Sequence, residues 1–371
     1  MRTAFRALAL STAAACLVAG AAQAQEPYKI FLSMSYIGND WQAEAANMLK
    51  ALASSSDYAD KVDLKVQVAG PNAQKQIQQI NAMVQAGADA IIVYPISPTA
   101  LNGAVKNACE KGVKVIAYDG VIEEPCAWNV HVDQAEWGRQ TAEWLAKEIG
   151  GKGNIVMITG VSGTSVDTLR NDAAREVFSK YPDIKVVAEA NGMWSQAVAR
   201  TEMSKIIATH PWESLSGLWM QVGCYTASSM QSEAGITDDK ILPCAGEGSN
   251  GHRIQMLPAG TEVPGANGTY RPMGMRSISA SSQAYPGAMA LKMIVDVLDG
   301  KDVPKTVLLS PGAVTNDTVK VCTEGTWEEM KGGCNVFEPA IIPNPGWFAS
   351  IYSEELPQVG LNAALTGTPE N

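Results

Sequence analysis

Between Tyr28 and Val132 the chain repeats one unit: an apolar run, a turn, an amphipathic stretch, then another apolar run. Strands are predicted around Ile30–Leu32, at Leu64–Ala69, Ala90–Tyr94 and Val113–Tyr118, and as a shorter one at Trp128–Val132. Runs that are apolar on both faces suit a parallel sheet covered by helices on each side. Between the third and fourth runs, Leu101, Ala104, Val105, Ala108 and Cys109 recur at helical spacing and form one apolar stripe. Ser97-Pro98 supplies a cap with proline at the first helical position, and Gly112 lies just past the end. The preceding helix carries Ile77, Ile80, Met83 and Val84 on one face and is followed by Gly87.

A second series starts near Gly153, with strands predicted at Ile155–Thr159, Ile184–Ala190, Leu215–Gln221 and Lys240–Ala245. Helices fill Thr164–Lys180, Gln196–Thr209 and Tyr225–Ala234. A polar strand at Arg276–Ser282, a long helix at Ala284–Leu298 and a strand at Thr306–Leu309 follow. Alternation of this kind implies right-handed βαβ crossovers and a second doubly wound unit. The tail beyond Pro311 is rich in Gly, Pro and Asn and lacks strong periodicity; it is expected to wrap the second unit.

The first 24 residues read as a secretory signal: Arg2 and Arg6, an apolar stretch from Ala7, then Ala22-Gln23-Ala24 as a small-x-small cleavage pattern. Processing as a lipoprotein at Cys16 is the rival reading, but Ala13-Ala14-Ala15 lacks the leucine usual before such a cysteine. Removal of the signal leaves about 350 residues, enough for two domains. The chain has 28 Lys and Arg against 38 Asp and Glu, and an acidic balance argues against nucleic acid and anionic lipid as partners. Beyond Cys16 there are six cysteines, an even number that favours disulfides in an exported chain. Fifteen pairings are possible for six cysteines; proximity along the chain suggests Cys109–Cys126, Cys224–Cys244 and Cys322–Cys334, with buried free thiols as the alternative. No C-x-x-C pair marks a zinc site, and neither metal nor cofactor is expected.

Gly87-Ala88-Asp89-Ala90-Ile91-Ile92-Val93-Tyr94-Pro95, continuing to Lys111-Gly112-Val113-Lys114-Val115-Ile116-Ala117-Tyr118-Asp119-Gly120, resembles the ribose-type (type I) periplasmic binding proteins. Gly163-Thr164-Ser165 before Arg170, Thr209-His210-Pro211 before Leu218-Trp219-Met220-Gln221, and Gly287 agree in order and spacing. The resemblance implies an α/β fold of two Rossmann-like, doubly wound lobes joined by a hinge of three crossings, near residues 132–133, 281–282 and 309–310. One lobe comprises residues 25–132 and 283–309, the other residues 133–282 and 310–371 with the C-terminal extension. It further implies a periplasmic monomer that delivers a monosaccharide or polyol to an ABC transporter permease; a sensor presenting a small molecule to a chemoreceptor or kinase is the alternative.

Sugars offer hydroxyls and apolar C–H faces, so their sites combine aromatic plates with charged or amide groups. Asp119 ends an apolar run, a costly place for a carboxylate unless it faces a cleft, and it matches the family's hydroxyl acceptor. By the same resemblance Arg170 is the ligand-binding arginine, and Asn39, Trp41 and Trp194 fall at family positions for an amide and aromatic stackers. Thr164 and Ser165 read as helix caps, and Trp137 and Trp144, seven apart, as a buried helical stripe. The pattern also departs from the family: Gly120 replaces an arginine, Val222 an asparagine and Gly246 an aspartate. Glu247 is the candidate to supply the missing carboxylate, and Ser281 or Ser282 answers a glutamine expected near the second crossing. Catalysis is not expected, because no nucleophile elbow, complete phosphate loop or HExxH occurs.

Overall fold

The computed structural model describes residues 26–370, so the signal sequence and Cys16 lie outside the described residues. The first half runs β1 (Tyr28–Met34), α1 (Asp40–Ser54), β2 (Val62–Val68), α2 (Ala73–Gln85), β3 (Ala90–Tyr94), α3 (Asn102–Glu110), β4 (Lys114–Tyr118), β5 (Trp128–Val132) and α4 (Gln134–Glu148). Next come β6 (Lys152–Thr159), α5 (Ser165–Ser179), β7 (Asp183–Asn191), α6 (Gln196–Ile207), β8 (Gly217–Met220) and α7 (Cys224–Glu233). Then follow β9 (Cys244–Gly246), α8 (Asn250–Met256), β10 (Ser277–Ser281), α9 (Pro286–Leu298), β11 (Thr306–Leu309) and β12 (Gly312–Thr315). The tail adds β13 (Val321–Cys322), α10 (Trp327–Lys331), β14 (Val336–Phe337) and α11 (Leu361–Thr366). Among the described residues no helix is long and apolar enough to cross a membrane.

One sheet has the order β11-β5-β4-β3-β1-β2 and is parallel throughout. The other has the order β12-β10-β9-β8-β6-β7, parallel except for β12 at its edge. The runs apolar on both faces are resolved by the period-2 alternation of a strand. Ile30, Leu32, Ile92 and Ile116 pack towards α1 and α9, while Phe31, Ile91, Val93 and Val115 face α2 and α3. In the second sheet Val156 and Ile158 take one side and Ile155 and Met157 the other. The inner strands of each sheet are thus buried on both faces, whereas the edge strands β2, β7 and β11 are largely exposed along their length.

Several elements differ from the sequence expectation. The helix expected to start at Pro98 begins at Asn102, because the Ser97 hydroxyl accepts the amides of Thr99 and Ala100 and closes a turn first. The strand expected from Lys240 is confined to Cys244–Gly246, with Asp238–Lys240 in a 3-10 turn instead. The three disulfides join Cys109 to Cys126, Cys224 to Cys244 and Cys322 to Cys334.

The tail does not stay with the second lobe. β12 extends the second sheet, but Ile351, Leu356, Val359, Ala363 and Ala364 then join the apolar core around α1 and α9. Asn47 of α1 donates to the carbonyl of Ala364 (2.9 Å), and Gln358 donates to Asp57 (2.8 Å). Isolated apolar residues and then the short helix α11, which packs on α1, carry the chain back.

Candidate functional site

The C-terminal ends of the two sheets face one another, and a cavity of about 40 Å³ lies between them. It is lined by residues that follow strands of both lobes: Asn39 and Trp41 after β1, Asp119 after β4, Arg170 after β6, Trp194 after β7 and Glu247 after β9. Open α/β sheets bind ligands at this edge, where the strand order reverses. Ordinary ligand pockets are roughly 300 Å³ or more, so the cleft is closed down to less than a sugar-sized volume.

Asp119 and Arg170 are only 4% and 6% exposed. They are bridged by Gln134, the first residue of α4, whose amide donates to Asp119 Oδ1 (3.1 Å) and accepts from Arg170 Nε (2.8 Å). Ser282 completes the network: its hydroxyl accepts from Arg170 Nη2 (2.6 Å) and from the Gln134 amide (3.1 Å). The Arg170 guanidinium lies 4.3 Å from the centre of the Trp137 ring, a cation–π stack. Burial pushes the Asp119 carboxyl up to about 6, against the pull of Arg170 and Gln134. Burial likewise brings Arg170 down to about 10, so it stays charged at neutral pH. The site therefore holds one fixed cation, one carboxylate near its titration point, and amide and hydroxyl groups that donate or accept.

The walls are aromatic. Trp41 lies 6.0 Å from Tyr94, which stacks on Tyr118 at 5.4 Å, and the Trp41 indole N–H donates to the carbonyl of Ser282 (3.0 Å). The Trp194 N–H donates to Gln221 (2.8 Å). Asp119, Met193 and Trp194 have φ of 59°, 55° and 51°. Left-handed backbone costs about 1–3 kcal/mol at a non-glycine residue and clusters at binding sites. Gly160 makes room for the indole: a Cβ there would stand 2.1 Å from Trp194 Nε1.

Of the seven residues singled out from sequence, Asn39, Trp41, Asp119, Arg170, Trp194 and Glu247 line the cavity. Asn39 is largely committed to structure, since it caps α1 by accepting from Gln42 N (3.1 Å) and spans the lobes by donating to the carbonyl of Trp194 (2.9 Å). Glu247 is buried and accepts from Gln196, Ser249 and the amide of Gly223, each at 2.9 Å. Ser281 is a correction: fully buried, it accepts from Arg253 and from Ser350 on the far face of β10, and the neighbouring Ser282 reaches the cavity. Trp137, taken from sequence as a stripe residue, both packs edge-on against Trp219 and lines the cavity. Thr164 caps α5 by accepting from Asp167 N (3.2 Å), whereas Ser165 instead accepts from Val121 N (3.1 Å) across the cleft. Sequence reasoning missed Gln42, Tyr94, Gln134 and Phe348. Among the described residues the one close group of potential metal ligands is Cys322, Glu329 and Cys334, whose two thiols are joined as a disulfide.

A two-lobed α/β receptor with a closed, polar-floored and aromatic-walled cleft is the class that this geometry defines. A family model described as the periplasmic binding protein domain matches residues 30–302, and the chain belongs to that family. The xylitol-binding protein of Mycolicibacterium smegmatis is 28% identical over 269 residues, covering 72% of each chain. Among solved structures, a galactofuranose binding protein aligns with TM-score 0.68 at 20% identity over 83% of this chain and 98% of that one. The Caulobacter myo-inositol binding protein aligns with TM-score 0.67 at 22% identity over 78% of this chain and 94% of that one. At such identities these structures speak for the fold alone.

Proposed function

We propose that this protein is the exported solute-binding component of an ABC importer and holds a monosaccharide or polyol between its lobes. The observation that carries the reading is the Asp119–Gln134–Arg170–Ser282 network, which gathers an acceptor, a cation and two amphoteric groups in a closed cleft. Asp119 accepts from ligand hydroxyls, Arg170 donates to ligand oxygens, and Trp41, Trp137 and Trp194 cover the C–H faces. Asn39, on the first lobe, and Glu247, on the second, flank that floor. Asp119 and Arg170 are buried in the closed cleft, so binding exchanges the hydrogen bonds they make through Gln134 and Ser282 for bonds to the solute. Binding by the xylitol-binding relative of a polyol, as its name states, supports the same ligand class here.

Export follows cleavage after Ala24, release into the periplasm leaves a monomer, and the closed form docks on the permease. The hinge consists of the crossings near residues 132–133, 281–282 and 309–310. A thermal-shift screen of the mature protein against pentoses, hexoses and their polyols tests the reading. A ligand at 100 times its dissociation constant adds about 2.7 kcal/mol to stability; if no member of the panel raises the unfolding temperature, the sugar reading fails.

A further inference from the structure

The residues matched by the family model end at 302, yet Phe348, deep in the C-terminal extension, lines the cleft. It is seated there by contacts to both lobes. On the second lobe, Gly251 N donates to the carbonyl of Pro345 (2.8 Å), Asn250 N to that of Trp347, and Ala349 N to that of Gly248 (3.3 Å). Ser249 and Phe348 form an antiparallel bridge. On the first lobe, Phe348 N donates to Glu44 Oε1 (2.7 Å) and the Asn344 amide to Asp40 Oδ1 (3.0 Å). The fit is close at Gly346, where a Cβ would stand 2.1 Å from Asp40 Oδ2.

Each link in this seat has a physical reason. Burial pushes the Glu44 carboxyl well above its ordinary range, and the Phe348 amide is the hydrogen-bond donor that partly offsets that burial. The Phe348 ring is 9% exposed and packs in the core cluster that also holds Trp41, Trp194 and Val222. It offers no hydrogen-bonding atom to a ligand, so its contribution is shape and apolar contact. Polar readers at the floor of the cleft fix hydroxyl positions, whereas a ring held from both sides fixes how far a ligand can extend.

We propose that residues 344–350 form a wall of the binding cleft and that Phe348 is its specificity-determining residue, limiting the size of the bound solute. The proposal rests on the reading of the cleft as a sugar or polyol site. One methylene in an apolar pocket is worth roughly 10–200-fold in discrimination, so removal of most of a phenyl ring should move selectivity by at least about tenfold.

The test is calorimetric titration of the full mature protein, Phe348→Leu and Phe348→Ala with linear polyols of four to seven carbons and with pentopyranoses and hexopyranoses. Circular dichroism establishes that each variant is folded, and the smaller change to leucine guards against loss of the alanine variant. The expected result is a shift in relative affinity towards larger solutes by about tenfold or more, graded from leucine to alanine. Binding by the parent with the same rank order in both variants overturns the assignment of Phe348 and leaves the cleft reading intact. Failure of the parent to bind any member of the panel overturns both.

Discussion

Replacing Asp119 with asparagine separates what this carboxylate costs the fold from what it contributes to binding. Asparagine keeps an acceptor for the Gln134 amide, 3.1 Å away, and tolerates the left-handed backbone at φ 59°. What it removes is a charge that burial disfavours, as shown by a carboxyl held at about 6 rather than 3.8. A folded-state value above the unfolded one means that the folded protein binds the extra proton between those limits. The associated stability is fully present below about pH 4 and is lost as pH rises to about 6. The difference of roughly two pH units between the folded and unfolded values corresponds to about 3 kcal/mol. Urea unfolding of parent and Asp119→Asn across pH 4 to 8 should therefore give equal stabilities at the acid end. Above pH 6 the variant should be the more stable by about 2–3 kcal/mol. Sugar affinity at pH 7 should move the other way, weakening by about 1–3 kcal/mol through loss of a charged acceptor. A stability difference that does not change with pH would refute the argument that burial holds Asp119 near its titration point.

Three further outcomes follow from other contacts. Trp137→Ala, which removes a ring 1% exposed and packed 5.9 Å from Trp219, should cost about 3–5 kcal/mol in chemical denaturation; a loss below 1 kcal/mol contradicts its packing role. Thr164→Ala should cost about 1 kcal/mol by leaving the Asp167 amide uncapped, with Thr164→Ser close to the parent, and equal losses in both would point to packing instead. Peptide mapping without reductant should recover the pairs 109–126, 224–244 and 322–334, and reduction should lower stability by roughly 3 kcal/mol per bridge opened; alkylation of unreduced thiols speaks against them.

The fold was legible because parallel sheets advertise themselves. Strands such as Ala90–Tyr94, buried on both faces, leave unbroken apolar runs, and glycines such as Gly112, at φ 86°, punctuate the helices between them. The tail was opaque for the converse reason. Its return to the first lobe uses single residues such as Ile351, Leu356 and Val359, spaced by turns, and a six-residue helix, α11, too short to show a periodic face.

The site was half legible, and the boundary follows strand and helix geometry. Asp119, directly after a strand end, stood out because a charge there must face the cleft or be wasted, whereas Trp194, three residues past the end of β7, was marked by the family resemblance alone. Ser281 was misplaced although the signal existed. In β10, Ser277, Ser279 and Ser281 alternate with Ile278 and Ala280, so the serines share the face that meets His252 and Arg253, and the next position, Ser282, falls on the opposite face with Ala280. Gln134 and Trp137 stand three apart on α4 and share a face. The stripe that buries Trp137 therefore runs out, one turn earlier, at the residue that joins Asp119 to Arg170. A helix that begins at a sheet's carboxyl edge and then packs back along the sheet must bring its first-turn side chains to the cleft. The first turn of each helix that follows a strand is thus as strong a place to look for ligand contacts as the strand end itself.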